Sequence, residues 1–430
     1  MYRFYNKYSL RIAGIFFLIA ILLLRLPPLI LLFNDPLTNS HSIARYLLIF
    51  LLFFIIYLIY IRKFEFQLKN GLVYYILFYF LTQTTSVFGA TNIQAFLLTY
   101  KDIVFGIVVY LIGSFLIISG KNINKIVYVL LIGVVLNISY QTIIYFFPDL
   151  FKSLLVPLIY PKYIQIFDVN LPRQKYFVDI FDVSLMPIIF FFLITHKKIS
   201  SKAISILCLA SVSFFVFVSN FRIHLLMMFL SIGGIVYVAF DEFKKRVSLL
   251  ITLIVILGTF GLIFFNLNTS TSVGRLFSPT DFDYSSIESR FTLWEYSIDM
   301  GLSHPLFGVG LGNFYDSILQ KRTVSTSLLD PKNKLETATL SHPHNLFFQT
   351  FSETGSFGLL GITLLICAFM YYDFKVLTNG RKLSKLLVMS FWSLFSFGLL
   401  APPNTPQYLS LFWLLRILIE KTHYLKESVD

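Results

Sequence analysis

Long stretches without charge dominate this sequence. Apolar blocks of about 17 to 25 residues recur from one end to the other, each long enough to cross a hydrocarbon core of roughly 30 Å as a helix. Of the 430 residues, 57% are hydrophobic and 13% charged, where an ordinary water-soluble domain carries roughly a quarter charged residues. A soluble domain is excluded, and the fold class predicted is an all-α integral membrane protein. Twelve spans are predicted, at roughly 12–33, 43–61, 71–88, 103–119, 126–147, 178–195, 203–219, 223–240, 248–265, 345–371, 384–401 and 403–419. The first block is too long for a signal-peptide core and lacks a small-residue cleavage site, so it reads as a retained span. The last is short, and its Arg416 is expected to snorkel toward an interface.

The net charge of +13 comes from 35 basic and 22 acidic residues. In a soluble domain it would raise the question of nucleic acid. Here it reads as topology, because Lys and Arg concentrate in cytoplasmic loops. With the N-terminus inside, the inner segments hold 20 Lys and Arg and the much longer outer segments hold 13. Both termini are therefore expected in the cytoplasm. The same orientation puts two long hydrophilic segments outside, about 148–177 and a 77-residue segment from Asn266 to His342. There is no internal repeat and no soluble tail of domain size. The organisation predicted is one polytopic domain, 1–430, with an external cap, 266–342, between spans nine and ten. Cys208 and Cys367 lie in apolar blocks, so neither a disulfide framework nor a cysteine zinc site is available.

The external side holds the residues suited to chemistry. Arg222 lies between spans seven and eight at the membrane boundary. A guanidinium there fits a lipid-phosphate anchor and equally a clamp on an interfacial pyrophosphate. Arg290 opens a stretch to Met300 that reads as an amphipathic helix stopped near Gly301 and Pro305. Ser341-His342-Pro343-His344-Asn345 precedes the tenth span, and proline suits a first helical position, which would set His344 in the first turn. The helix dipole disfavours an imidazolium there, leaving the neutral form that accepts a proton. A buried structural histidine fits the same position. On an unbroken helix Gly355 and Gly358 would lie about 20° and 40° from His344, on one face.

Three further features carry less. Asp179 and Asp182, at the outer start of the sixth span, suit a cavity-facing pair that orients a basic group, or a helix cap. Asp281-Phe282-Asp283 has a metal-holding spacing but reads as a solvated loop, and Gly308-Val309-Gly310-Leu311-Gly312 reads as a turn.

His344-Asn345, nine residues, then Gly355-Ser356-Phe357-Gly358 resemble the pattern His-[Asn/Ser/Gln]-x9-Gly-x-x-Gly of the bacterial O-antigen ligases and the related O-antigen polymerases. The stretch Pro305-Leu306-Phe307-Gly308-Val309-Gly310-Leu311-Gly312-Asn313-Phe314 is similar to that family's external-loop segment. The resemblance implies a GT-C-like fold with about twelve transmembrane helices in the bacterial plasma membrane. It implies a glycosyltransferase that moves a glycan from an undecaprenyl-diphosphate carrier to an acceptor hydroxyl at the external face, with no metal and no other cofactor. The implied partners are the lipid-linked glycan, a glycan or lipid acceptor, and membrane lipids, without nucleic acid. Carried over residue by residue, Arg222 and Arg290 hold the diphosphate and His344 activates the acceptor. Bulky Asn220, Phe221, Ile223 and His224 around Arg222 depart from the small residues expected there. His342 competes with His344 for its role, and Asn345, Asp179 and Asp182 are supporting candidates. Ligase and polymerase share this donor chemistry. A transporter of lipid-linked oligosaccharide ranks third, because paired repeats and interrupted helices with midplane charges are not evident.

Overall fold

The computed structural model describes residues 2–26, 40–62, 71–117, 120–147, 179–218, 222–239, 281–320, 342–400 and 406–424. Among them there is no strand, as a lipid-immersed chain requires unless it closes a barrel, since every backbone N–H and C=O must find a partner without water. The helices are α1 (Tyr2–Arg25), α2 (Ser40–Arg62), α3 (Leu72–Thr85), α4 (Ile93–Leu116), α5 (Gly120–Phe146), α6 (Ile180–Ser184), α7 (Met186–Thr195), α8 (Ile199–Val218), α9 (Arg222–Ala239), α10 (Asp281–Ser303), α11 (Phe314–Gln320), α12 (Leu346–Asn379), α13 (Lys382–Leu400) and α14 (Pro406–Tyr424). Seven stretches among the described residues are helical, long and apolar enough to cross a membrane. Eleven predicted spans overlap these helices in part; residues 27–33 of the first, 118–119 of the fourth and 403–405 of the last lie outside the described residues, as do the ninth, 248–265, and the segment 148–177.

Several boundaries move. The helix predicted from 103 begins at Ile93, because Asn92 caps it by accepting from the N–H groups of Gln94 (3.1 Å) and Ala95 (3.2 Å). Hydropathy alone misses that start, since its first turns carry Gln94, Thr99, Lys101 and Asp102. The sixth span is broken into α6 and α7 at Leu185, next to Pro187. Proline has no N–H for the carbonyl of Val183 four residues back; the Ser231 hydroxyl of α9 donates to that carbonyl instead, at 3.1 Å, and lies 2.9 Å from Ser393 Oγ of α13. Asp281 and Asp283 begin a helix, not a loop, and α10 starts nine residues before Arg290.

Helix α14 packs against α4, α12 against α3, and α9 against α13, while α13 joins the two groups by touching α7, α12 and α14. Large apolar side chains such as Phe53, Tyr60, Leu207 and Phe374 remain exposed on the outside of the bundle, as lipid-facing positions would be. Arg416 does not snorkel: it is fully buried, with Nη1 2.7 Å from Asp373 and Nε 3.2 Å from Glu420. Trp392 Nε1 donates to the same Asp373 (2.9 Å), the Tyr110 hydroxyl donates to Glu420 (2.8 Å), and the guanidinium lies over Phe369 (4.6 Å). A charge this deep is tolerable only when paired, and here two carboxylates and an aromatic face surround it.

Candidate functional site

Helix α12 carries the site at its N-terminal end. Asn345 is its N-cap: Oδ1 accepts from the N–H groups of Phe347 (2.9 Å) and Phe348 (3.2 Å). Pro343 and His344 therefore precede the helix, which corrects the expectation that His344 sits in its first turn. His344 takes φ 52°, and it is the non-glycine residue with positive φ among those described. In that left-handed conformation Cβ crowds the following carbonyl, a cost of roughly 1–2 kcal/mol. The reversal brings the imidazole back onto His342, with ring centroids 4.0 Å apart and edge to face.

Helix α10 holds this turn in place. Leu293, Ser297 and Met300 form its buried stripe, and Gly301 lets it approach Phe351 of α12. Trp294 Nε1 donates to the carbonyl of Pro343 at 2.8 Å, and its indole stacks on Phe348 with centroids 5.2 Å apart. Arg290, one turn earlier on the same face, is close enough to act on His342 electrostatically. Burial, then the neighbouring His344, then Arg290 lower the His342 pKa to about 3, so its ring is neutral at any physiological pH. Two imidazoles and a guanidinium, from segments more than fifty residues apart, thus share one patch.

The two motif segments are joined by their backbones. Gly355, at φ 67° and ψ −166°, interrupts α12. Uninterrupted, Ser356 N–H would donate to Ser352 and Phe357 N–H to Glu353. Instead the carbonyls of Ser352 and Glu353 accept from Val309 and Gly310 (both 2.9 Å), while Ser356 and Phe357 donate to Pro305 (2.8 Å) and Leu306 (3.4 Å). The turn 305–310 is inserted into the helix and satisfies all four opened groups. This also corrects the single helical face expected for His344, Gly355 and Gly358, since no continuous helix joins them. Gly308, at φ 65°, lies directly on the backbone of Glu353 and Thr354, where a Cβ has no room. The far side of the turn is anchored by buried Asn313, whose Oδ1 accepts from Asn92 N–H (2.6 Å) and Thr91 Oγ1 (3.1 Å).

The remaining candidates separate. Arg222 begins α9, but its side chain lies outside the described residues. Asp179 caps α6 and, with the wholly buried Asp182, holds Arg25 of α1; Asp179 lies 3.0 Å from Nη1, and Asp182 pairs with Nη2. Asn137 and Gln141 of α5 complete that cluster at 2.9 and 3.4 Å. The pair does orient a basic group, but one at the C-terminal end of the first helix and not at the His344 patch. Asn345 is engaged in capping. Sequence reasoning passed over Trp294 and Glu353. Trp294, four residues after Arg290, was legible as sharing its face, and Glu353 as a carboxylate inside a predicted span. A cavity of about 60 Å³ lies one turn below the patch, lined by Gln83, Gln349, Glu353, Tyr79, Tyr408 and Trp413 among others, without His344 or Arg290.

No curated protein matches the chain. Residues 204–363, which run from α8 through α10 and the inserted turn into α12, match the family model described as O-antigen ligase. With the motif pattern seated on a broken membrane helix, that match makes this stretch of the chain similar to the O-antigen ligases.

Proposed function

We propose that the protein is a glycosyltransferase that moves a glycan from a polyprenyl-diphosphate carrier to an acceptor hydroxyl at the external face of the bacterial plasma membrane. The observation that carries this reading is the convergence of His344, His342 and Arg290 at the capped end of α12. In the reaction the acceptor oxygen attacks the anomeric carbon and gives its proton to the imidazole of His344. The bond from that carbon to the diphosphate breaks, and the electron pair leaves on the diphosphate. Negative charge grows on the leaving group, so guanidinium forks fixed in advance stabilise the transition state more than the ground state. Arg290 is assigned this role, with Arg222 as its partner across the diphosphate. His342, whose pKa is lowered to about 3, is too weak a base to compete for the acceptor proton and is assigned as a neighbour of the base.

The acceptor decides between ligase and polymerase. The reading favoured is ligase-like, since the motif pattern is that of the ligases. The test incubates purified protein with a labelled polyprenyl-diphosphate oligosaccharide and two acceptors, a lipid A core and a second lipid-linked repeat, with and without chelator. Transfer to the core that survives chelation is expected. Transfer to the second repeat alone makes the protein a polymerase, chelator-sensitive transfer removes the metal-free scheme, and vesicle transport with an intact glycan–diphosphate bond replaces the enzyme with a transporter.

A further inference from the structure

Glu353 is 3% exposed, inside a helix apolar enough to span a membrane, and the mechanism above makes no use of it. A hydrocarbon side chain there would avoid the cost of burying a carboxyl group. Its surroundings explain its presence: the carboxyl group accepts from the backbone N–H groups of Gly312 and Phe314 and lies 3.4 Å from the Gln349 amide. Its own main-chain carbonyl accepts from Gly310. One residue of α12 thus grips both the inserted turn and the residues that directly follow it, on either side of Leu311. The turn is the direct continuation of α10, whose Trp294 and Arg290 reach back to 342–344 at the start of α12. A closed circuit results, running from His344 along two turns of α12 to Glu353, across to the turn, and back along α10.

We propose that Glu353 is a positioning residue for glycan transfer, which sets Arg290 and Trp294 against His344 by fixing the turn that ends α10. The proposal rests on the transferase reading for its catalytic half only. Removing the carboxyl group leaves the N–H groups of Gly312 and Phe314 without their acceptor and releases α10 relative to α12. A shift of about 1 Å in a catalytic group costs on the order of 100-fold in rate.

Two measurements on the full-length protein test it. In a background with Cys208 and Cys367 replaced by serine, Val309→Cys, 2% exposed and seated beside the break, reports on the turn through its rate of thiol labelling. Glu353→Leu is expected to raise that rate about tenfold, with Glu353→Gln, which keeps one acceptor oxygen, in between; an unchanged rate overturns the proposal. This readout needs no substrate, so it stands even if the wild type transfers no glycan, which would strike the transferase reading alone. In the transfer assay Glu353→Leu and Arg290→Lys are combined. If Glu353 acts through α10, the double variant loses no more than about threefold beyond the worse single one, since coupled residues are not additive. Losses that multiply assign Glu353 to stability only and overturn the catalytic half, as does full activity of a Glu353→Leu protein with a mobile turn.

Discussion

His344 bears a local backbone cost that any asparagine or glycine would bear more easily, which points to its side chain as the reason for its place. His344→Ala is expected to lower transfer by on the order of 100- to 10,000-fold, the usual contribution of a general base, while the protein still inserts. Arg290→Lys keeps the charge and loses the planar fork, so a drop on the order of 100-fold is expected. Wild-type turnover by either variant in the labelled-glycan assay would remove that residue from the mechanism. His342 adds a pH effect on stability. Its folded pKa of about 3 lies below the ordinary histidine value of 6.5, so between these values the unfolded chain binds the extra proton and stability falls as pH falls. The thermal midpoint of the wild type should therefore drop more from pH 7 to pH 5 than that of His342→Gln, and equal drops would contradict the neutral ring. Of this patch the sequence showed the residue types and the motif spacing, but not the turn geometry, because the turn at His344 is held against Trp294, which lies some 50 residues away in the chain.

At the scale of elements, the break in α12 is the feature from which the site follows. Periodicity treats 345–371 as one rod, and a glycine inside an apolar run looks like a packing device. Here Gly355 adopts a conformation that only glycine reaches without strain, and a Cβ would strike the backbone of Leu306. Gly355→Ala is expected to cost about 1–3 kcal/mol from the dihedral alone and to free the inserted turn. Gly233→Ala in α9, where nothing lies within 4 Å of an added Cβ, is the control and should leave the thermal midpoint in detergent unchanged or slightly raised. Equal midpoints for the two variants would refute the insertion. The same logic explains the broken sixth span, where Pro187 was visible in the sequence but the hydroxyl that satisfies Val183, from Ser231 some 48 residues on, was not.

For the whole molecule, buried ionic clusters join helices distant in the chain. Arg25 ties α1 to α5 and α6, and Arg416 ties α14 to α12 with α4 and α13 in contact. Arg416→Leu strands two carboxylates, and removing one partner of such a pair costs about 3–5 kcal/mol; a steep loss of folded protein in detergent is expected, and normal yield with a wild-type midpoint would show the cluster to be dispensable. Topology is tested at Ser303, exposed at the end of α10. In the cysteine-free background, Ser303→Cys should react with an impermeant reagent on intact cells; reaction only after permeabilisation would invert the assigned orientation. Asn313, a few residues beyond Ser303, is unsuited to this experiment because it is wholly buried by the turn and the start of α4.

What this sequence determined by itself is its partition between lipid and water. Hydropathy sums over whole segments, so the membrane class, the helical secondary structure and the approximate span positions follow from composition along the chain, and the motif spacing carries the resemblance to the O-antigen ligases. Tertiary structure alone decided where charge goes once inside: that Arg416 turns inward to Asp373 and Glu420, that Asp179 and Asp182 belong to Arg25, and that a turn fifty residues upstream completes the hydrogen bonds of an interrupted helix. Such partners are selected by the need to satisfy each buried polar group in a medium that supplies no water, and that need is met in space, between segments whose separation along the chain bears no fixed relation to their contact.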